Sequence, residues 1–508
     1  MERSAERAWA AYAWVTAAER LRAASALSAG NNTQTRRHHE ALFRYAFLRR
    51  FSDPTDGVKV LTDVIRWAEH ADEPVFAAEV EAILGVLLCY ADRFNEGVVA
   101  IERSLLRLRT LSLAEAKVSI PIRVWTVNLL SSTTESDPAI ASTFVDRLVA
   151  SGFDTVHSLF AWYAASAGRL DDAKPVAETF LAAAQGVSTD EKWIQASIGF
   201  ANLGLGIVQA AHGEPLLAQA AWHEASECLG AVQHYAVLAF ARLSELREIA
   251  LTYQADEPSM RRALATEAEE AMAQAGGVFR QGVSPKLARL SCLVLDGEWT
   301  EADAVLRELP NPGVTYLRRE IFAATQLMAR FRGQTEVAWQ YIHIVLPMGP
   351  ATEPGNCIHQ EGLYCMRTAI HLAIDMGDLD LAASWLKAHD RWLAWNGAVL
   401  GKAAGELSRA RLHLAAGGME LARDSAVSAI GLASNPNQPL IVQAAQQTLA
   451  EVALAEGDLA AATECVSVAV EIALRCEAPL EHAQVLLIAA DLHVRLGNLE
   501  AAHAELQK

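Results

Sequence analysis

Gly377-Asp-Leu-Asp-Leu-Ala382, Gly417-Gly-Met-Glu-Leu-Ala422, Gly457-Asp-Leu-Ala-Ala-Ala462 and Gly497-Asn-Leu-Glu-Ala-Ala502 follow one another with their glycines 40, 40 and 40 residues apart. The same pattern, a glycine and then an alanine five positions on, recurs at Gly168/Ala173, Gly213/Ala218, Gly297/Ala302 and Gly333/Ala338. Looser forms stand at Ser52/Gly57, Asp92/Gly97 and Ser136/Ala141, and the unit near Pro258 has lost the glycine. One match in an alanine-rich chain would be chance. Four at constant spacing mark an internal repeat.

Each element of the pattern has a physical reason. A glycine ends a helix where the backbone turns left-handed, because it has no Cβ to clash. The Asp or Asn that often follows suits a turn or the cap of the next helix. The alanine then falls where two helices cross and only a small side chain fits. Ala410, Ala450 and Ala490, seven residues before their glycines, supply the small partner on the preceding helix. After Gly457, the apolar residues Val466, Val468, Ala469, Ile472 and Ala473 recur at helical spacing, with Glu464 and Glu471 on the other side. Segments 434–439 and 309–313, rich in Asn and Pro, separate one pair from the next. No alternating strand pattern of useful length occurs.

The fold expected is therefore all-α: a right-handed α-solenoid of about twelve TPR-like helix hairpins, continuous over residues 1–508. Its period near 40 exceeds the 34 of an ordinary TPR, so the helices should be longer by about a turn. Length alone would suggest about three domains, but a repeat array escapes that rule because each unit buries its faces on its neighbours.

Composition narrows the function classes. Hydrophobic residues make up 52% of 508, ample for a continuous core, and Pro is scarce at 16. A net charge of −18 repels phosphate backbones, so direct nucleic-acid contact by this segment is not expected. Seven cysteines, an odd number without a CxxC, fit a reducing cytoplasm. The N-terminus carries Glu2, Glu6 and Glu19 and has no apolar signal core. No window is expected to approach 18 uncharged apolar residues, so no membrane association is anticipated. Asn31-Asn32-Thr33 matches a glycosylation sequon that means nothing without secretion.

Chemistry is absent at the motif level. There is no P-loop, GxSxG, HExxH or kinase signature, and Gly204-Leu-Gly206 lies in a helix-periodic stretch. Cys357-Ile-His359 with Cys365 has metal-like spacing but no evident fourth ligand, and reads as a helix start. His38-His39 reads as a solvated helix start, and Glu269-Glu270 as surface charge. An enzyme is not expected, nor any cofactor in this chain.

Aligning units on the turn glycine compares equivalent positions on the first helix of each pair, the helix that lines the concave surface of TPR-like arrays. Six before the glycine stand His371, Arg411, Glu451 and Asp491; ten before stand Arg367, Leu407, Gln447 and Leu487; thirteen before, Tyr364. In this register the groove runs from basic to acidic. In the N-terminal half the equivalents are apolar: Trp162, Phe200, Leu203 and Ile207. Such a surface could hold a protein or peptide partner or a small amphipathic inducer. The plainer alternative is a solvated inner face with core aromatics. A second candidate is segment 390–401, which carries Trp392 and Trp395 beside Gly397 and Gly401. Local packing of a long connection is the plainer explanation.

That segment also carries a family resemblance. Arg391-Trp392…Trp395-Asn-Gly-Ala-Val-Leu-Gly401-Lys402, with Leu48-Arg-Arg-Phe-Ser-Asp-Pro54 and Leu88-Cys-Tyr-Ala-Asp-Arg-Phe94, resembles the TPR region of large LuxR-type, MalT-like (STAND) transcriptional regulators. The resemblance implies an ATP-binding module before the array and a helix-turn-helix after it, with the array receiving an inducer or inhibitory partner. Neither flanking motif is in this sequence, so ATP and DNA binding attach to no residue here. Neither end shows a polar capping unit, so a portion of a larger regulator is expected. The alternatives are a stand-alone TPR scaffold that gathers protein partners and, more remotely, an α/α enzyme; self-association fits either binding role.

Overall fold

The computed structural model describes residues 1–10, 14–29, 36–50, 52–109, 155–185, 192–275, 283–308 and 315–507. The sequon at Asn31, the Ser136/Ala141 unit and the 309–313 segment lie outside them. Among the described residues the chain forms 24 α-helices and no strand. Consecutive helices pack as hairpins: Pro74–Tyr90 on Phe94–Arg109, Lys192–Ala211 on Pro215–Ala231, His359–Asp375 on Leu379–Asn396, Pro439–Glu456 on Leu459–Arg475. The architecture is an all-α solenoid of TPR-like hairpins.

The repeat glycines do what the pattern requires. Gly377, Gly417, Gly457 and Gly497 have φ of 76°, 78°, 81° and 76°. A Cβ at any of them would meet nothing within 4 Å, so conformation and not space selects glycine there. Asp92 takes the same role at φ 64° in a unit without the glycine. Beyond the turn, Asp378, Asp458 and Asn498 accept hydrogen bonds from the backbone N–H of Leu381, Ala461 and Ala501 at 3.0, 3.0 and 3.1 Å. The crossing alanines Ala173, Ala218, Ala302, Ala338, Ala382, Ala422 and Ala462 are all fully buried, as are Ala410 and Ala450 opposite them.

An ideal solenoid touches only its neighbours. This one also touches itself one superhelical turn later. The Asp92 turn pairs with Arg318. The Gly168 carbonyl accepts from the Asn396 amide at 3.1 Å, across 228 residues. The Ala211 carbonyl, at the end of its helix, accepts from the N–H groups of Val399 and Leu400 at 2.8 and 3.0 Å. Arg262 bridges Asp296 and Glu477, and Arg475 pairs with Asp256. At a period near 40 these separations correspond to about five hairpins. Each turn of the coil seats the tips of one turn of hairpins on the connections of the next. One buried core accordingly runs from Ala5 to Leu412.

Three sequence expectations change. Residues 390–401 are not one long connection: Trp392 and Trp395 lie in the last two turns of helix Leu379–Asn396, and the link is residues 397–401. His39 is not solvated, because its ring stacks on Trp67 with centroids 3.9 Å apart and planes 7° apart. One window, Ile194–Ala211, is long and apolar enough in composition to cross a membrane. It is 78% buried inside the solenoid, the signature of a core helix.

Two glycine substitutions should separate conformation from packing. Gly417→Ala should lower stability by about 1–2 kcal/mol through its left-handed φ. Gly431→Ala, in the exposed last turn of helix Met419–Ser434, should raise it by up to about 0.5–1 kcal/mol. Urea midpoints at constant slope measure both. Asn396→Ala should cost about 1–3 kcal/mol by stranding the Gly168 carbonyl, with no change in local helix content by circular dichroism.

Candidate binding site on the concave face

The first helices of successive hairpins pack side by side. Helices Leu290–Leu295, Thr315–Phe331, His359–Asp375, Lys402–Ala415 and Pro439–Glu456, with residues 247–252, enclose a cavity of about 380 Å³. Its walls are mostly apolar, from Leu251, Phe322, Leu327, Leu440 and Ile441.

The polar groups in its wall and directly behind it fall into two sets. One set is paired: Arg247 with Glu320, Arg319 with Glu248 at 3.3 Å, and the Ser291 hydroxyl donating to Glu320 at 2.7 Å. The other set is not. Glu361 is 3% exposed, and neither carboxylate oxygen has a hydrogen-bond partner. Burial pushes its carboxyl up to about 7, against the pull of Arg318 and Arg319. Gln326 is fully buried; its amide N–H donates to the Cys365 sulfur at 3.4 Å and its carbonyl oxygen is unpartnered. Tyr364 donates to the Ala323 carbonyl at 3.1 Å. Among the described residues Arg367 pairs with no carboxylate, and its guanidinium reaches the His389 ring nitrogen at 3.4 Å. Burial lowers the Arg367 guanidinium to about 10.

From Arg367 the half-buried ladder continues along the concave face. Burial, then Arg411, Arg330 and Arg367, hold His371 neutral, well below the ordinary histidine range. Arg411 makes no hydrogen bond or ion pair among the described residues. Burial and Arg330 depress its pKa, while Glu451 and Asp375 support its charge. Arg330 is tied to Asp375 at 2.7 Å. Burial raises Glu451, and Arg411 opposes that rise. The structure thus brings Tyr364, Arg367, His371, Arg411 and Glu451 into one line, basic towards the cavity and acidic away from it. Asp491 drops out, turned to solvent and paired with Arg495 of its own helix at 3.1 Å.

The apolar half of the expected groove is a correction. Trp162, Phe200, Leu203 and Ile207 are 3%, 2%, 1% and 8% exposed. Trp162 stacks on Phe200 at 5.7 Å, planes 10° apart. They fill the core because the next superhelical turn seats on the Gly168 and Ala211 ends of their hairpins. Trp392 is fully buried, its indole N–H donating to the Thr352 carbonyl at 3.0 Å, whereas Trp395 is 44% exposed. His359 packs its ring on Trp392, and burial lowers it to about 3. Among the described residues no three His, Cys, Asp or Glu side chains gather as a metal site.

Sequence reasoning missed Glu361 and Gln326. Glu361 was findable: it precedes Gly377 by sixteen residues, one further step up the stripe of Tyr364, Arg367 and His371. Gln326 belongs to the neighbouring hairpin, and only the packed coil brings it to that stripe.

The geometry defines a TPR-like repeat protein with a polar inner face. In fold the chain is similar to a chain of the APC/C hetero-tetramer Cut9–Hcn1, at 14% identity and TM-score 0.44, over 93% of this chain and 86% of that one. It is similar to a Rap protein complexed with competence and sporulation factor (12%, TM-score 0.36, 85% and 96%). Yeast Tom70 is a third (12%, TM-score 0.34, 97% and 99%). Likeness at this level concerns the helical-repeat fold alone. No family profile matches the chain, and no curated protein matches its sequence.

Glu361 makes a pH prediction. Its folded pKa lies above the ordinary 4.5, so the folded state holds the proton that the unfolded state releases. Stability is therefore lost as pH rises from about 4.5 to about 7, and the penalty is constant above that. Glu361→Gln should gain on the wild type between pH 4 and pH 8 by on the order of 3 kcal/mol. Urea melts of both proteins at each pH give the difference.

Proposed function

We propose that the chain is a non-catalytic interaction scaffold whose inner ladder holds an acidic segment of a partner protein. The carrying observation is that Arg367 and Arg411, half-buried on the first helices of their hairpins, meet no carboxylate at hydrogen-bond distance among the described residues. A buried guanidinium without an anionic partner is costly. A carboxylate that satisfies it bidentately gains both energy and register. Glu451 at the far end sets a polarity, since it repels the acidic segment and favours a basic or neutral flank. The apolar walls of the adjoining cavity supply the desolvated anchor that a short charged contact needs.

The same binding role is what a sensor array in a LuxR-type regulator would perform, with its ATPase and helix-turn-helix outside this chain. Both readings place the partner on the first-helix face. The reading is therefore of an array that binds, and the acidic partner is its specific claim.

An alternating Glu-Leu decapeptide labelled with fluorescein is the probe. Arg411→Glu should weaken its binding at least tenfold by anisotropy. Lys387→Glu, an equal charge change on an exposed outer position, should leave it within twofold. Equal effects of both substitutions would reduce the contact to overall charge and discard the ladder. Trp162→Ala is unsuitable as a binding probe, since emptying that core site should cost about 3–5 kcal/mol of stability.

A further inference from the structure

The cavity beside the ladder has features that an acidic partner segment leaves unexplained. In and behind its wall three arginines, Arg247 and Arg319 of the lining and Arg318 behind it, face four carboxylates, Glu248 and Glu361 of the lining and Glu320 and Asp92 behind it. Glu320, Asp92 and Glu248 each take one arginine. Glu361 is the one left over, buried with both oxygens unpartnered, and the Gln326 carbonyl oxygen is unpartnered in the same wall. At the other end Arg367 is a cation left over. A buried carboxylate and a buried guanidinium therefore share one cavity without meeting each other.

Their spacing is set by one helix. Glu361, Tyr364 and Arg367 stand at three-residue intervals on helix His359–Asp375 and all line the cavity. At 1.5 Å per residue the Cα atoms of Glu361 and Arg367 are about 9 Å apart along the axis. Between and around them the wall is apolar: Phe322, Leu327, Leu440 and Ile441.

We propose that this cavity is a binding site for a small amphipathic zwitterion, with an ammonium for Glu361 and Gln326, a carboxylate for Arg367, and an apolar body between. A free short peptide of two to four apolar residues has that chemistry. An α-amino acid does not, because its two charges are too close together to reach both ends. The volume of about 380 Å³ falls in the range of small-ligand sites. Each leftover group is costly when the cavity is empty and satisfied when the zwitterion fills it. Burial raises the Glu361 carboxyl to about 7 despite Arg318, Arg319 and Arg247 nearby, which agrees with a buried carboxylate that no hydrogen bond compensates.

The test uses the full chain and trileucine, with N-acetyl-trileucine and trileucine amide as controls, by calorimetry at pH 7.5. Trileucine should bind the wild type. Acetylation and amidation should each weaken it at least tenfold. Glu361→Gln should weaken trileucine to the same degree and erase the effect of acetylation, while Arg367→Gln should erase the effect of amidation. Arg411→Glu should leave trileucine binding unchanged, which separates this site from the partner ladder. Ala324→Phe, which narrows the cavity, provides a second variant should Glu361→Gln fail to fold. Two results overturn the proposal: trileucine fails to bind the wild type, or it binds with acetylation still costing tenfold in Glu361→Gln.

Discussion

The crossing of two helices at a methyl group sets everything else in this molecule. At Ala382, Ala422 and Ala462 nothing larger than Cβ separates the second helix from the first, and the small residues Ala410 and Ala450 answer from the other side. That close approach fixes the hairpin. Repeating it near every 40 residues fixes the rotation from one hairpin to the next, and the accumulated rotation brings hairpin tips back onto the chain about five units later. The turn-to-turn contacts at Asp92, Gly168, Ala211 and Glu477 are consequences of that geometry. They are polar where they can be and satisfied in pairs, as expected of an interface assembled from helix ends that already carry orphan carbonyls.

Local rules were legible in the sequence and superhelical closure was not. Turn glycines, capping Asp and Asn residues and crossing alanines are each decided by neighbours a few residues away, and each stands where the pattern put it. The ladder Arg367, His371, Arg411, Glu451 was legible for the same reason, since it needs only the register of one helix against the next. Trp162 and Phe200 share that register and are nonetheless buried. Their exposure depends on residues near 359–400, a whole coil away, and no period in the sequence encodes that distance. Asp491 fails in the opposite sense: it lies beyond the hairpins that are closed over, so it pairs with Arg495 and faces solvent.

The segment that carried the family resemblance now has a physical account. Trp392 anchors the Thr352 carbonyl, Asn396 reaches the Gly168 carbonyl and the His359 ring, and Val399 and Leu400 cap Ala211. Gly397 and Gly401, with φ of 68° and 108°, allow five residues to turn from one helix to the next while presenting those two N–H groups. The stretch is a clasp between coil turns. Its sequence is constrained by closure whatever the array binds, so a likeness there reports architecture before it reports role.

Closure and binding are linked through the same helices. The cavity wall draws on residues from 247 to 441, and its shape exists only while hairpins that are far apart in sequence remain seated on each other. A molecule that bridges Glu361 and Arg367 touches one helix, but the apolar walls it also needs, Leu251 on one side and Ile441 on the other, belong to hairpins joined by the turn-to-turn ion pairs Arg262–Glu477 and Arg475–Asp256. Such a molecule binds the closed coil and not an opened one, and stabilises closure by RT ln(1 + [L]/Kd). Reciprocity then requires that any partner favouring the closed coil along the ladder raises affinity in the cavity by the same factor. Arg367 stands where the two surfaces meet, and its single guanidinium cannot satisfy two carboxylates at full strength. Coupling through the coil is favourable and coupling through that side chain is competitive, so the sign of the net effect rests on whether the acidic segment reaches Arg367 or stops at Arg411.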